Sequence, residues 1–350
     1  MLNLSVDEAR ALAQFSPPDG RLSSLRRSSS ATVPELLYHS LEEHVLVLED
    51  LGPLLTLYLY FSAMADDKYD GPMPGQEACR RLGSRIGEFF SQLHSPGSRE
   101  LVRTATCADL ENPLVKDLIL QAAVMTVEQH LPRFNIADAQ MLFSRVLADY
   151  QRVNMPAEQC FVLGDFTPGA VLLTASGDGS QPMGIIDWEF SGLGRGPNGD
   201  MSQFLAIVHL LLMAASPGSQ PHGALDSLIR GICLAYHQNS SKWLGQLYLR
   251  APNISNSAQS KIQARLENLQ IFRSALILHG REMINNAVEQ EWHDSPGKKG
   301  SVLVREMVQK GAWYLDRAGN DVGGMLNAAN VEELLKEDSR VMLGLFGIEH

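Results

Sequence analysis

The dominant regularity along the chain is helical. Apolar side chains recur at the spacing that lines one helix face over about 75 to 94, 113 to 131, 136 to 152, 201 to 215, 222 to 238, 256 to 289, 301 to 317 and 330 to 337. Residues 4 to 15 predict a further short helix, and Met325 to His350 reads as two short helices with Asn327, Asn330, Glu332 and Glu333 on an exposed face. β-Prone runs are few. His44-Val45-Leu46-Val47-Leu48-Glu49-Asp50-Leu51-Gly52 predicts a buried strand leaving into a loop, and the other β-rich runs, Cys160–Leu163, Ala170–Leu173 and Met183–Asp187, stand together in the middle of the chain. Strand and helix do not alternate. That disfavours a doubly wound parallel sheet and predicts an α+β chain, with a small β region ahead of a large, mainly helical one. Residues 16 to 32, with Pro17, Pro18, Gly20 and a dense Ser/Arg tract, predict a mobile, solvated loop, and Arg26-Arg27-Ser28 within it has the look of a basophilic kinase target.

Composition narrows the function classes. The 350 residues are 45% hydrophobic, enough for one large core or two modest ones. With 29 basic against 40 acidic side chains the net charge is −11, which argues against a general nucleic-acid binder. Cys79, Cys107, Cys160 and Cys233 are widely spaced, with no C-x-x-C pair, so neither a disulfide framework nor a cysteine zinc site is expected, and the cytosol is the expected setting. The start lacks a signal-peptide pattern, and the apolar stretch from Phe204 to Ala215 is interrupted by His209 and too short to span a bilayer. The sequons at Asn239 and Asn253 then read as incidental surface asparagines.

Candidate chemistry concentrates in the central β region. Gly164-Asp165-Phe166-Thr167-Pro168-Gly169 places an acid at the end of one strand, and Ile186-Asp187-Trp188-Glu189 places another after a second apolar run. Hairpin-like strands would bring the two carboxylates to one cleft mouth, a pairing that suits phosphoryl transfer: one aspartate receives a hydroxyl proton and the other holds magnesium. Blander roles compete. Asp165 also suits a turn, Glu189 either orients the loop or faces solvent, and Asp200 fits a helix N-cap. Gly194-Arg195-Gly196-Pro197-Asn198-Gly199 satisfies G-x-G-x-x-G, but its proline and the lack of an acid near twenty residues downstream argue against a dinucleotide site, leaving Arg195 as a candidate anion contact. His209 reads as a core histidine. His94, His237 and His279 lack zinc-helix spacing, and Trp243, Tyr248, Trp292 and Trp313 read as core aromatics before acceptor-pocket ones.

Taken in order, these blocks resemble the aminoglycoside phosphotransferase and choline kinase-like family of the protein-kinase-like fold, in the style of its fungal members. Leu163-Gly164-Asp165 followed by Ala170 stands where that family has His-Gly-Asp, four residues and Asn, and Ile186-Asp187-Trp188-Glu189 matches its metal-binding segment. Gly199-Asp200-Met201 resembles its next helix start, Phe89-Phe90-Ser91-Gln92-Leu93-His94 the end of its first large helix, and Val45 to Leu51 its last small-lobe strand and hinge. The resemblance implies Asp165 as catalytic base, Asp187 as magnesium ligand, and Glu49, Asp50 and Leu51 as the hinge that meets the nucleotide. ATP and Mg²⁺ would be the cofactors and a small hydroxylated molecule the acceptor, with no nucleic-acid or membrane partner. It also implies a partial small lobe over 1–52 (helix, loop and hinge strand) and a helical large lobe over 53–350.

The departures are specific. Ala170 stands at the second metal-binding position and Leu163 at the usual histidine, and the first lysine, Lys68, lies beyond the hinge. Glu8, placed like the ion-pair partner of a strand-borne lysine, is expected to find none, which fits either a shortened sequence or a domain with half a small lobe. Three functions therefore stand: a small-molecule phosphotransferase, a pseudokinase or binding protein that keeps the fold, and a nucleotide-free acid–base enzyme in the same cleft.

Overall fold

The computed structural model describes residues 4–16, 20, 22–28, 30–65, 75–100, 113–174, 183–250, 259–292, 300–336 and 339–348. Helices α1 (Leu4–Ala13) and α2 (Ser23–Arg26) precede an antiparallel hairpin of β1 (Leu36–Ser40) and β2 (Val45–Leu48). A short β3 (Leu54–Thr56) runs directly into α3 (Leu57–Ala65), and α4 (Gln76–Leu93) follows. Helix α5 (Pro113–Ile119) passes through a π turn over Leu120–Val124 into α6 (Met125–Arg133), and α7 (Ala139–Gln151) leads to the central strands. These are β4 (Gln159–Val162), β5 (Val171–Thr174), β6 (Met183–Ile185) and β7 (Gly192–Arg195), with β3, β5 and β6 forming one antiparallel sheet and β4 and β7 another. The rest is helical: α8 (Met201–Ala214), α9 (Gln220–Leu244), α10 (Gln259–Glu289), α11 (Gly300–Arg317), α12 (Val322–Met325), α13 (Ala328–Leu334) and α14 (Arg340–Leu345). A small β region followed by a large helical one is the expected α+β, kinase-like layout.

The helical lobe is held by close backbone approach. Helices α4 and α9 pack along their lengths, and a Cβ on Gly83 would lie 2.2 Å from the Leu228 carbonyl oxygen, one on Gly231 2.2 Å from that of Arg80. Only hydrogen fits at those two crossings. Helix α10 runs through the core between α8 and α11 and buries Phe272, Ala275, Leu276, Met283 and Ile284.

Two expectations change. The strand around Val45–Leu48 is not buried: Val45 and Val47 face out, paired with Ser40 and Tyr38, because β1 and β2 form a two-stranded sheet covered on one side only. In the stretch expected as a mobile, solvated loop, Leu22, Leu25, Arg26, Ser30 and Ala31 are buried, while Ser23, Ser24 and Arg27 stay exposed. Charge pairing explains this. Arg26 donates to Glu35 at 2.5 Å and to Glu49 at 2.9 Å, Arg27 also donates to Glu49, and Ser30 donates to Glu88 at 2.6 Å. Thr32 then bridges to Gly184, adding a short parallel step beside β6.

Candidate active site

Each candidate carboxylate is followed by an aromatic anchor. After β4 the chain turns at Gly164, whose φ is +93° and whose added Cβ would meet the Phe190 carbonyl oxygen at 2.1 Å, so glycine is required there. Phe166 is fully buried and stacks on Phe90 of α4 at 3.8 Å and on Phe204 of α8 at 4.2 Å. Trp188 is likewise fully buried after β6, its ring tilted against Phe15 at 4.7 Å and its indole N–H donating to the Ile185 carbonyl. Driving these rings into the core fixes the short loops from which Asp165 and Asp187 project.

The Asp165 loop has a further brace that local sequence does not reveal. Asp200 accepts the backbone N–H of Leu163 at 2.8 Å and that of Gly164 at 3.0 Å, and its Oδ2 lies 3.2 Å from His94 Nε2. His94 Nδ1 in turn meets the Tyr236 hydroxyl at 3.0 Å. Asp200 is thus not a side-chain N-cap: its carboxylate makes no capping bond to α8 and reaches back across the core, where the two loop N–H groups would otherwise go unpaired. His94, at the end of α4, stood out in sequence only within a family-like block and as a histidine without zinc-helix spacing, and Tyr236 of α9 carried no signal at all.

The Asp165 carboxylate accepts a hydrogen bond from Gln203 Nε2 at 2.5 Å. Its pKa is raised to about 6, chiefly by burial, then by the charge of Glu282, with Asp187 and Asp200 adding and Gln203 opposing. Asp187 stands exposed at the lip with φ +73°, a left-handed conformation that aspartate tolerates better than most residues, and desolvation lifts its pKa. Glu8 of α1 faces the same lip. Its carboxyl is raised by burial and by the charges of Glu189 and Asp187, and it accepts a backbone hydrogen bond from Trp188. Glu189 is raised too, by desolvation and then by Asp187.

The hinge candidates sit at the end of β2. The Glu49 side chain is occupied by Arg26 and Arg27, Asp50 accepts the Gly52 N–H at 2.8 Å in a local turn, and Leu51 packs against Gly184 of β6. Arg195 does not reach an anion in the cleft. It donates to Asp149 at 2.8 Å and to Asn154 at 2.7 Å within a network shared with Arg152 and Glu158. Trp243, Trp292 and Trp313 pack half-buried against the core, while Tyr248 is exposed.

As a magnesium site the donor set fits one ion. Asp187 and the neighbouring Glu189 are carboxylates lifted by desolvation rather than held down by a cation, and Mg²⁺ takes one or two carboxylates beside phosphate oxygens. Ala170 is fully buried and offers no side-chain donor; its carbonyl accepts the Ile186 N–H at 3.0 Å and so supports the Asp187 loop. Among the described residues no cluster of three or more His, Cys, Asp or Glu side chains forms a ready-made metal site. Lys68 lies outside the described residues. No described helix is long and apolar enough to cross a membrane.

The model of the phosphotransferase enzyme family matches residues 6–195. Two relatives are named 4-hydroxytryptamine kinase: one from Psilocybe cubensis, 27% identical over 183 residues (51% of this chain and 48% of that one), and one from Psilocybe cyanescens, 26% identical over 187 residues (52% and 49%). The chain thus spans about half the length of these relatives. Among solved structures, the GDP and kanamycin complex of APH(2")-IIia is 12% identical, with 90% of this chain and 83% of that one covered at a TM-score of 0.38. Choline kinase from Cryptosporidium parvum Iowa II is also 12% identical, with 87% and 78% covered at a TM-score of 0.35.

Proposed function

Since the chain belongs to the phosphotransferase enzyme family, we propose that it moves the γ-phosphoryl group of ATP to a hydroxyl of a small molecule, with Asp165 as base and Asp187 as magnesium ligand. The observation that carries this reading is geometric: β4 and β6 belong to different sheets, yet each leads to an acid whose next residue, Phe166 or Trp188, is buried in the same core and pins its turn. In the step, the acceptor oxygen bonds to the γ-phosphorus, the bond to the β–γ bridging oxygen breaks, ADP leaves and the hydroxyl proton passes to Asp165. A pKa of about 6 leaves that carboxylate mostly ionised at neutral pH and still basic enough to take the proton. Magnesium, when bound, supplies neutralising charge to the phosphates. The backbone of Glu49 to Leu51 would meet the nucleotide base.

For the acceptor we propose a hydroxyl-bearing amine, the class that the two relatives' names specify. Asp187 and Glu189 at the lip, with Glu8 beside them, put negative charge at the cleft mouth, which suits a cationic molecule. The test is calorimetric titration of ATP with and without Mg²⁺, followed by ADP release with 4-hydroxytryptamine as probe. Magnesium-dependent binding that D187A removes, and turnover that D165A removes, are expected. Absence of magnesium-dependent binding overturns the proposal and leaves the second reading, a pseudokinase, which the missing donor at Ala170 favours.

A further inference from the structure

Asp200, immediately before α8, and Gln203, in its first turn, stand three residues apart, the spacing that puts two side chains on one face. Both reach the Asp165 loop, at different points. Asp200 holds its backbone at Leu163 and Gly164, and Gln203 holds the carboxylate itself through Oδ1. Among the described residues, Gln203 is the side chain hydrogen-bonded to that carboxylate.

A bare aspartate on a loop can turn either oxygen toward a substrate. With Oδ1 tied to an amide N–H, the carboxylate plane is set and Oδ2 is the oxygen left to face an acceptor. We infer that Gln203 is a positioning residue for phosphoryl transfer, fixing Asp165 so that Oδ2 receives the acceptor's proton. The catalytic part of this role rests on the phosphotransferase reading; the two-point grip by α8 does not.

The surroundings make the amide matter. The charged groups acting on Asp165 come from α10 (Glu282), from the turn after β6 (Asp187) and from α8 (Asp200), and all three are negative. Gln203 is the neutral donor among them, so it can hold the carboxylate without neutralising it as an arginine or lysine would. A purely structural glutamine would be equally satisfied by any polar partner, and its loss would change stability without changing turnover.

Two measurements separate these roles, one of them independent of activity. In the NMR spectrum of the full chain, a Gln203 side-chain amide proton is expected downfield of ordinary glutamine amides and is expected to move back in D165N. If D165N leaves that resonance in place, the inference is overturned whatever the chain catalyses. In turnover with MgATP and 4-hydroxytryptamine, Q203L is expected to lower kcat about tenfold with both KM values unchanged, a part of the roughly 10²- to 10⁴-fold that a general base contributes. A Q203L that melts like the wild type and keeps its kcat also overturns it. Should Q203L fail to fold, Q203N carries the same test, because it keeps the amide but retracts it by one methylene. A downfield amide in a chain that turns over no acceptor and binds no MgATP supports the grip and removes the phosphotransferase reading instead.

Discussion

The Asp200 carboxylate accepts the backbone N–H of Leu163 at 2.8 Å, tying the first residue of α8's approach to the end of β4 although 37 positions separate the two. With Gly164 N–H and His94 on the same side chain, three polar groups in the core depend on one carboxylate. D200A would leave two buried N–H donors unpaired, each costing about 1–3 kcal/mol. The expected outcome is a clear fall in the urea midpoint together with loss of any activity. An unchanged midpoint would mean that the loop is held by something else.

Asp165 carries a cost that its removal should reveal. Its pKa is raised to about 6 from the ordinary 3.8, so the folded state binds a proton more tightly than the unfolded one. Ionised burial therefore weakens the fold above pH 6, and the penalty is relieved as pH falls from 6 towards 3.8. D165N is expected to stabilise the protein at pH 7.5 by up to about 3 kcal/mol, and the gain should vanish near pH 4. Paired melts of wild type and variant across that range check it; a variant no more stable at pH 7.5 would show that the carboxylate is better solvated than its surroundings imply.

The buried histidine pair works in the opposite direction. His279 Nδ1 is 3.2 Å from the Ser202 carbonyl, which only accepts, so its proton sits there, its Nε2 accepts, and His209 Nδ1 donates across 3.2 Å. Burial lowers both pKa values, that of His209 to about 3, with Lys310 adding to each. Both rings are neutral in the fold, whereas an unfolded histidine takes a proton near pH 6.5. Their stabilising contribution is complete above pH 6.5 and falls as pH drops towards the folded value, by up to about 1.4 kcal/mol per pH unit for each ring. In H209L the stability–pH curve between pH 6 and pH 4 should be flatter than in the wild type; equal slopes would exclude the pair as the acid-sensitive element.

The α4–α9 crossing predicts a steric failure. G231V would force a Cβ to within 2.2 Å of the Arg80 carbonyl oxygen, a backbone atom that cannot move without separating the helices. A loss of about 3 kcal/mol or more is expected, read as a large drop in the denaturant midpoint. A near-neutral G231V would mean that the two helices slide apart at little cost.

The ion-pair network under β2 predicts an acid response of its own. Burial would raise the Glu49 carboxyl, but the Arg26 hydrogen bond, with Glu35's backbone N–H and the charges of Arg27 and Arg26, holds it below its ordinary 4.5. A lowered carboxylate stabilises the fold fully above its unfolded pKa and loses that contribution as pH falls below 4.5. The stability difference between wild type and R26M is therefore expected to be larger at pH 7 than at pH 3. A difference independent of pH would reduce Arg26 to a packing role.

Sequence alone determined the elements whose signals are local. Helical periodicity located α4, α7, α8, α10 and α11 to within a few residues, and the β-prone runs marked β2, β4, β5 and β6. The pieces β1, β3, β7, α2 and α3 went unpredicted; β1 (Leu-Leu-Tyr-His-Ser) and β7 (Gly-Leu-Gly-Arg) lack a β-branched run of their own and become strands by pairing with β2 and β4. Asp165 and Asp187 were legible as candidates because each is an acid at a strand end followed by an aromatic residue. What holds them was not. Asp200 looked like a helix cap, neither Gln203 nor Tyr236 was singled out by any local signal, and no spacing rule connects them to residue 165. Only the tertiary structure decided that one turn of α8 grips the Asp165 loop, because side chains distant in sequence become partners only when packing brings their helices within hydrogen-bond reach.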